Sequence, residues 1–164
     1  MPALTAGTVA PEINLPSTRG MKLSLRQALK RGPVMAAFFK ISCPVCQFTL
    51  PYLERIYKAY PGNRVTIIGV SQDEQDYTEE FAREYDITFP LLLDPVDRYP
   101  ASNAYDLTNV PSIFLINDGK VKLSIVGWDK RDMETLNADV ARASGVPIQP
   151  LFHKGEDVPA SKAG

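Results

Sequence analysis

Six consecutive apolar residues, Val34-Met35-Ala36-Ala37-Phe38-Phe39, lie between Gly32-Pro33 and Ser42-Cys43-Pro44. A strand with one solvated face alternates polar and apolar side chains. A short run without any alternation suits a strand covered on both faces, as in a parallel sheet. The rest of the chain must therefore supply packing layers above and below it.

The flanking segments can do so. Thr8 to Leu15 reads as an extended lead-in, Ser17-Thr18-Arg19-Gly20 as a turn and Met21-Lys22-Leu23 as a returning strand. Ser24 and Gln27 have the spacing of a capping box, which predicts a short helix over Leu25–Lys30 that stops at Arg31-Gly32-Pro33. Pro44 suits the first position of a second helix running toward Tyr60, with Leu50, Leu53 and Ile56 on its apolar stripe and Pro51 as an internal kink. Val65–Val70 predicts a second buried strand. Tyr77–Tyr85 has helical spacing, Phe89–Leu93 is a short extended run, and Arg98–Tyr105 predicts a brief helix limited by Pro100. Ile113–Ile116, the turn Asn117-Asp118-Gly119-Lys120 and Val121–Val126 form a hairpin pattern. Met133, Leu136 and Val140 mark a last amphipathic helix over Lys130–Ala143. With the Phe89 run set aside, the order is β-α-β-α-α-β-β-α after an N-terminal extension. Such alternation predicts an α/β fold, a mixed, mostly parallel sheet flanked by helices, with the hairpin adding an antiparallel edge. Residues 1–145 are expected to form one domain, and residues 146–164, rich in Pro and Gly, an irregular tail.

The 164 residues carry a net charge of −1 and no basic stripe or polybasic run, so no nucleic-acid or anionic-membrane partner is expected. The longest apolar stretch, Pro33 to Phe39, is too short to span a bilayer. Met1 to Gly7 has neither a basic region nor an apolar core of signal-peptide type, which makes the cytoplasm the default expectation.

The chain has two cysteines, Cys43 and Cys46. A disulfide closing so small a loop would restrict the unfolded chain little, so a redox or metal role is the better expectation. Cys43 falls where a buried strand ends and a helix begins. Unpaired N–H groups and the positive end of the helix dipole favour an anion there, so a Cys43 thiolate should be stabilised. Lys40 stands three residues earlier as a modulating charge. Cys46 lies one turn further in and should be more buried, which suggests that Cys43 attacks a disulfide and Cys46 resolves the mixed disulfide.

The segment Phe38-Phe39-Lys40-Ile41-Ser42-Cys43-Pro44-Val45-Cys46, with Pro51 beyond it, resembles the active-site helix of thioredoxins. Val110-Pro111-Ser112 resembles the loop that carries their cis-proline. Ala10-Pro11-Glu12-Ile13-Asn14-Leu15, with Gly20 and Leu23-Ser24-Leu25, resembles the start of the TlpA/ResA and AhpC/TSA redoxin branch. The resemblance spans about residues 5 to 145. It implies a thioredoxin-like three-layer sandwich and a thiol–disulfide oxidoreductase that helps maintain redox balance. Cys43 would be the nucleophile, Cys46 the resolving thiol and Pro111 the aligning cis-proline. Pro44, Val45, Val110 and Ser112 would contact substrate. No cofactor or metal is implied; the partners would be a disulfide-containing protein or small molecule and a thiol reductant or oxidant. Three positions depart from the pattern. Ala37 replaces the buried Asp of thioredoxins, Thr49 the Glu of many TlpA/ResA-type proteins, and Ser42 the tryptophan before the first cysteine. Two alternatives stand beside this reading. One is a thiol peroxidase, although Ala36 and Lys40 occupy positions where peroxiredoxins carry Pro and Thr or Ser. The other is a non-catalytic module holding metal through both cysteines and His153.

Overall fold

The apolar run becomes the middle strand of a five-stranded sheet, and its neighbours in sequence build the layers around it. The computed structural model describes residues 3–164. In chain order its elements are β1 (Asn14–Pro16), β2 (Lys22–Ser24), α1 (Leu25–Leu29), β3 (Val34–Phe39), α2 (Pro44–Ala59), β4 (Thr66–Ser71), α3 (Gln75–Glu84), β5 (Leu91–Leu93), α4 (Pro100–Ala104), β6 (Ser112–Asn117), β7 (Lys120–Val126), β8 (Trp128–Asp129), α5 (Lys130–Ser144) and β9 (Ser161–Lys162). The main sheet has the order β5-β4-β3-β6-β7. Strands β3, β4 and β5 run parallel, whereas β6 lies antiparallel to both β3 and β7. The antiparallel part thus begins beside the central strand rather than at the hairpin edge.

Every residue of β3 is fully buried, because its alternating side chains serve two cores. Met35, Ala37 and Phe39 join Leu50, Leu53 and Ile56 of α2 and Met133, Leu136 and Val140 of α5. Each such side chain withdrawn from water contributes about 1.5–3 kcal/mol. Val34, Ala36 and Phe38 face the other core with Leu25 and Ala28 of α1 and Ala101 of α4. There the Phe38 ring meets Phe114 edge-on at 5.7 Å and Tyr105 at 5.2 Å, an aromatic arrangement that fills the layer beside the small Ala36. Gly69 in β4 makes the first core possible at its rim. A Cβ there would lie 2.6 Å from Leu91 Cδ2 and 3.1 Å from the Phe39 ring.

Local chemistry explains the helix boundaries. Ser24 Oγ accepts from Gln27 N at 3.2 Å as the capping pattern predicts, and Glu12 reinforces it by accepting from Ser24 Oγ and Arg26 N at 2.8 and 2.9 Å. The brief helix before Tyr105 starts at Pro100, because the buried Asp94 carboxylate accepts from Ala101 N and Ser102 N. The extended run Phe89–Leu93 contains a real edge strand, β5, which the expected element order omits. Its Leu91 and Leu92 are buried, and Ser17 bridges to Leu92 on the open side.

The residues after α5 are irregular apart from β9, yet they are packed. Leu151 is buried, Phe152 stacks edge-on against Tyr52 at 5.5 Å, and Trp128 Nε1 donates to Pro159 O at 2.8 Å. Among the described residues no helix is long and apolar enough to cross a membrane.

Candidate active site

The chain leaves β3 at Phe39, makes a turn at Lys40–Ser42 and enters α2 at Pro44. Two side chains fix that turn. Asp73, just beyond β4, accepts from Ile41 N at 2.8 Å, while Gln47 Nε2 donates to Ile41 O at 2.9 Å. Cys43 is the N-cap of α2 with an extended backbone, and its Sγ accepts from Cys46 N at 3.1 Å. Pro44 follows at N1, where its missing N–H leaves no helical bond unmade. The first sulfur thus sits at the end of the helix where free N–H groups and the dipole favour negative charge.

The two cysteines, both free thiols, differ in environment although one helical turn separates them. Cys43 is half-buried and lines a cavity of about 440 Å³ together with Lys40, Pro44, Gln72, Asn109 and Val110. Cys46 is fully buried in the α2 core. Burial pushes its thiol well above the ordinary range, and the neighbouring Cys43 adds to the effect through a hydrogen bond and its charge; the carboxylate of Asp73 contributes least. One thiol is therefore open to reagents and the other is held protonated behind it.

Opposite the pair, the peptide bond between Val110 and Pro111 is cis. Cys43 Sγ donates to Val110 O at 3.5 Å, which ties the loop to the sulfur. Pro111 is buried, and its carbonyl accepts from Gly127 N at 2.8 Å. Ser112 does not border the cavity as the resemblance implies. It is fully buried as the first residue of β6, and its Oγ donates to Asn109 O at 2.8 Å, closing the loop from behind. Val45 is half-buried against the α2 core rather than in the cavity wall. Lys40 is exposed at the cavity rim.

The structure also brings in residues that the sequence reading passes over: Asp73, Gln72, Asn109 and Gly164. Gln72 Nε2 donates to Ser102 Oγ at 3.0 Å, and Asn109 Nδ2 to Gly164 O at 3.1 Å. Thr49, where the related pattern has Glu, is buried with no hydrogen-bond partner for its Oγ1 among the described residues. Ala37 is buried in β3, so neither usual acid position supplies a proton carrier. Among the described residues no three His, Cys, Asp or Glu side chains gather as metal ligands, and His153 does not join the cysteines.

Comparison with known proteins agrees with this geometry. Residues 6–124 match the model of the AhpC/TSA family. The thiol-disulfide oxidoreductase ResA of Geobacillus kaustophilus is 32% identical over 135 residues, covering 80% of this chain and 76% of its own. ResA of Bacillus subtilis is 32% identical over 127 residues, covering 76% and 69%. Among solved structures, the thioredoxin domain of a thiol-disulfide oxidoreductase from Bacteroides vulgatus superposes with a TM-score of 0.74 at 26% identity, covering 84% of this chain and 99% of that one. A disulfide isomerase-like protein from Bacteroides thetaiotaomicron reaches a TM-score of 0.78 at 23% identity over 88% and 95%, a likeness of fold. With the CxxC pair at a strand end and relatives of this kind, the chain belongs to the AhpC/TSA family, in its TlpA/ResA redoxin branch, and is a thiol–disulfide oxidoreductase of thioredoxin-like fold.

Proposed function

We propose that Cys43 is the attacking thiol, Cys46 the resolving thiol and the Val110–Pro111 loop the surface along which a substrate disulfide is aligned. The observation that carries this is the difference in burial across one helical turn, with Cys43 on the cavity and Cys46 sealed beneath it. In the reducing direction Cys43, as thiolate, attacks one sulfur of the substrate. A Cys43–substrate disulfide forms and the other substrate sulfur leaves as thiolate. Cys46 then loses its proton and attacks Cys43 Sγ, releasing the second substrate thiolate and leaving a Cys43–Cys46 disulfide. Two electrons pass to the substrate, and a thiol reductant must restore the dithiol. The same steps reversed oxidise a substrate.

The site favours this order of attack for two reasons. Only Cys43 combines access with an N-cap position. Cys46 stays protonated until a mixed disulfide brings an electrophilic sulfur within reach, which protects it from side reactions. With Ala37 and Thr49 in place of acids, Cys46 gives up its proton without a carboxylic acid at either usual position.

The decisive experiment compares Cys43→Ser and Cys46→Ser in an insulin-reduction assay, with mass analysis of quenched samples. Cys46→Ser should accumulate a mixed disulfide at Cys43, and Cys43→Ser should lose turnover. Turnover surviving Cys43→Ser unchanged would sink the proposal. The family match also favours testing peroxide directly, as an antioxidant role by thiol peroxidation would require. With Ala36 buried inside β3 and Lys40 exposed, stopped-flow oxidation of Cys43 by hydrogen peroxide should be no faster than that of a free thiol.

A further inference from the structure

We propose that residues 161–164 form a displaceable wall of the Cys43 groove that selects substrates by width. Narrow small-molecule disulfides enter with the wall in place, and a polypeptide disulfide must first move it. The proposal rests on Cys43 being the attacking thiol and adds a determinant of which disulfides reach it.

The segment after Gly145 is fastened across α2 and β8 before it reaches the groove. Leu151 is buried, Arg55 holds Glu156 through two bonds of 2.9 and 2.8 Å, Trp128 Nε1 donates to Pro159 O at 2.8 Å, and Lys130 N donates to Ala160 O at 2.9 Å. Then β9 pairs with β8 through Trp128↔Lys162 and Asp129↔Ser161. Beyond that point the attachments thin out. Residues 161–164 are exposed, and the last side-chain tether is the bond from Asn109 Nδ2 to Gly164 O.

Three backbones meet there without room for side chains. Gly127 takes a positive φ of 75°, and a Cβ on it would lie 2.6 Å from Lys162 O. A Cβ on Gly164 would lie 2.6 Å from Val110 O. Val110 O is also the atom that accepts from Cys43 Sγ. The segment therefore rests on the carbonyl beside the reactive sulfur, and Gly164 lines the same cavity as Cys43. A substrate sulfur bonded to Cys43 sits about 2 Å from Sγ. A chain extending to both sides of that sulfur must run past Val110, into the space that Gly164 fills. A small disulfide can use the cavity of about 440 Å³ between Lys40 and Asn109 and leave the segment undisturbed.

A chain ending at Ala160 removes the wall and keeps the bonds to Pro159, Ala160 and Glu156. Its rate of insulin reduction should rise about fivefold, the population factor equivalent to one modest hydrogen bond, whereas exchange with oxidised glutathione should stay within about twofold. An equal change for both substrates, or slower insulin reduction, would overturn the proposal. If the full chain's Cys43 fails to exchange with either disulfide, the assignment of the attacking thiol fails instead. A second variant keeps the full chain and leaves Gly164 without a side chain: Ala163→Cys, at the exposed position beside it, in a Cys46→Ser background, treated with one equivalent of an aromatic disulfide reagent. Cys43 takes up one aryl thiol and releases the other. The thiol introduced at position 163 should then attack Cys43 Sγ, close an intramolecular disulfide and release the second aryl thiolate. With Ala163→Ser the mixed disulfide should persist. A mixed disulfide that persists in both variants would show that the segment does not lie at the groove.

Discussion

Glu54 offers a test of what holds the active-site helix in place. The residue is only 6% exposed, near the middle of α2. Oε1 accepts from Thr88 N at 2.8 Å and Phe89 N at 3.3 Å, and Oε2 accepts from Thr88 Oγ1. Lys58 Nζ approaches to 3.7 Å but is 64% exposed, so that ion pair adds little. The carboxylate thus secures the turn that leads into β5. Glu54→Ala leaves two main-chain N–H groups facing a cavity, and a set of bonds to a charged acceptor is lost; the expected cost is about 3–5 kcal/mol. Glu54→Gln keeps an oxygen for both N–H groups, and its amide can donate to Thr88 Oγ1, which then accepts. Only the charge contribution goes, about 1 kcal/mol. Urea unfolding at neutral pH, followed by the fluorescence of Trp128, measures both. Glu54→Ala within about 1 kcal/mol of the parent, or Glu54→Gln as costly as Glu54→Ala, would refute the assignment of stability to these bonds.

Two further outcomes follow from ionisable groups. Because burial first, and then Cys43, raises the Cys46 thiol above its ordinary range, the folded chain keeps a proton that the unfolded chain releases above about pH 8.5. The reduced protein should therefore lose stability as pH rises beyond that point, less steeply in Cys46→Ser, and native-state alkylation should label Cys43 at least about tenfold faster than Cys46. The Arg55 guanidinium holds the Glu156 carboxyl down at about 2, so the pair's contribution is complete above about pH 4.5 and fades as pH falls toward 2. Relative to the intrinsic exchange rate, which itself falls with pH, amide protection in residues 150–164 should drop over that window, and Glu156→Gln should show the lower protection already at neutral pH.

Legibility in the sequence followed the range of the forces involved. The buried central strand, the cap at Ser24 and the helix opened by Pro44 depend on neighbours within a few residues, and the structure has them within a residue or two of the expected bounds. β5 was harder to read. Its three residues sit between Pro90 and Asp94-Pro95, and only pairing with β4 makes them a strand. Asp73 carries no local mark, since it lies in a polar stretch and finds its partner, Ile41 N, 32 residues back in the chain. Ser112 has the right place in the motif, but the first position of β6 turns its side chain inward. The segment after Gly145 is irregular as its composition suggests. Its docking was signalled only by the apolar pair Leu151-Phe152, and its approach to Cys43 depends on glycines at 127 and 164 that no local pattern singles out.

These distant partners share one platform. The polar bonds that secure α2 lead to parts of the chain far from it in sequence: Cys43 to Val110, Glu54 to Thr88, and Arg55 and Tyr52 to Glu156. A helix held at its N-cap, along one flank and along the other has little freedom to tilt without breaking several bonds at once. The thiol pair, the cis-proline loop and the segment beside the groove are thereby kept in mutual register. Loss of the acids usual at positions 37 and 49 then has a physical counterpart. Reactivity here is apportioned by burial and helix position, which depend on α2 staying where it is, and less on a nearby proton carrier. Perturbing an anchor far from the sulfurs, such as Glu54, should therefore change the reactivity of Cys43 and Cys46 together, whereas a change at Thr49 should fall on the Cys46 step alone.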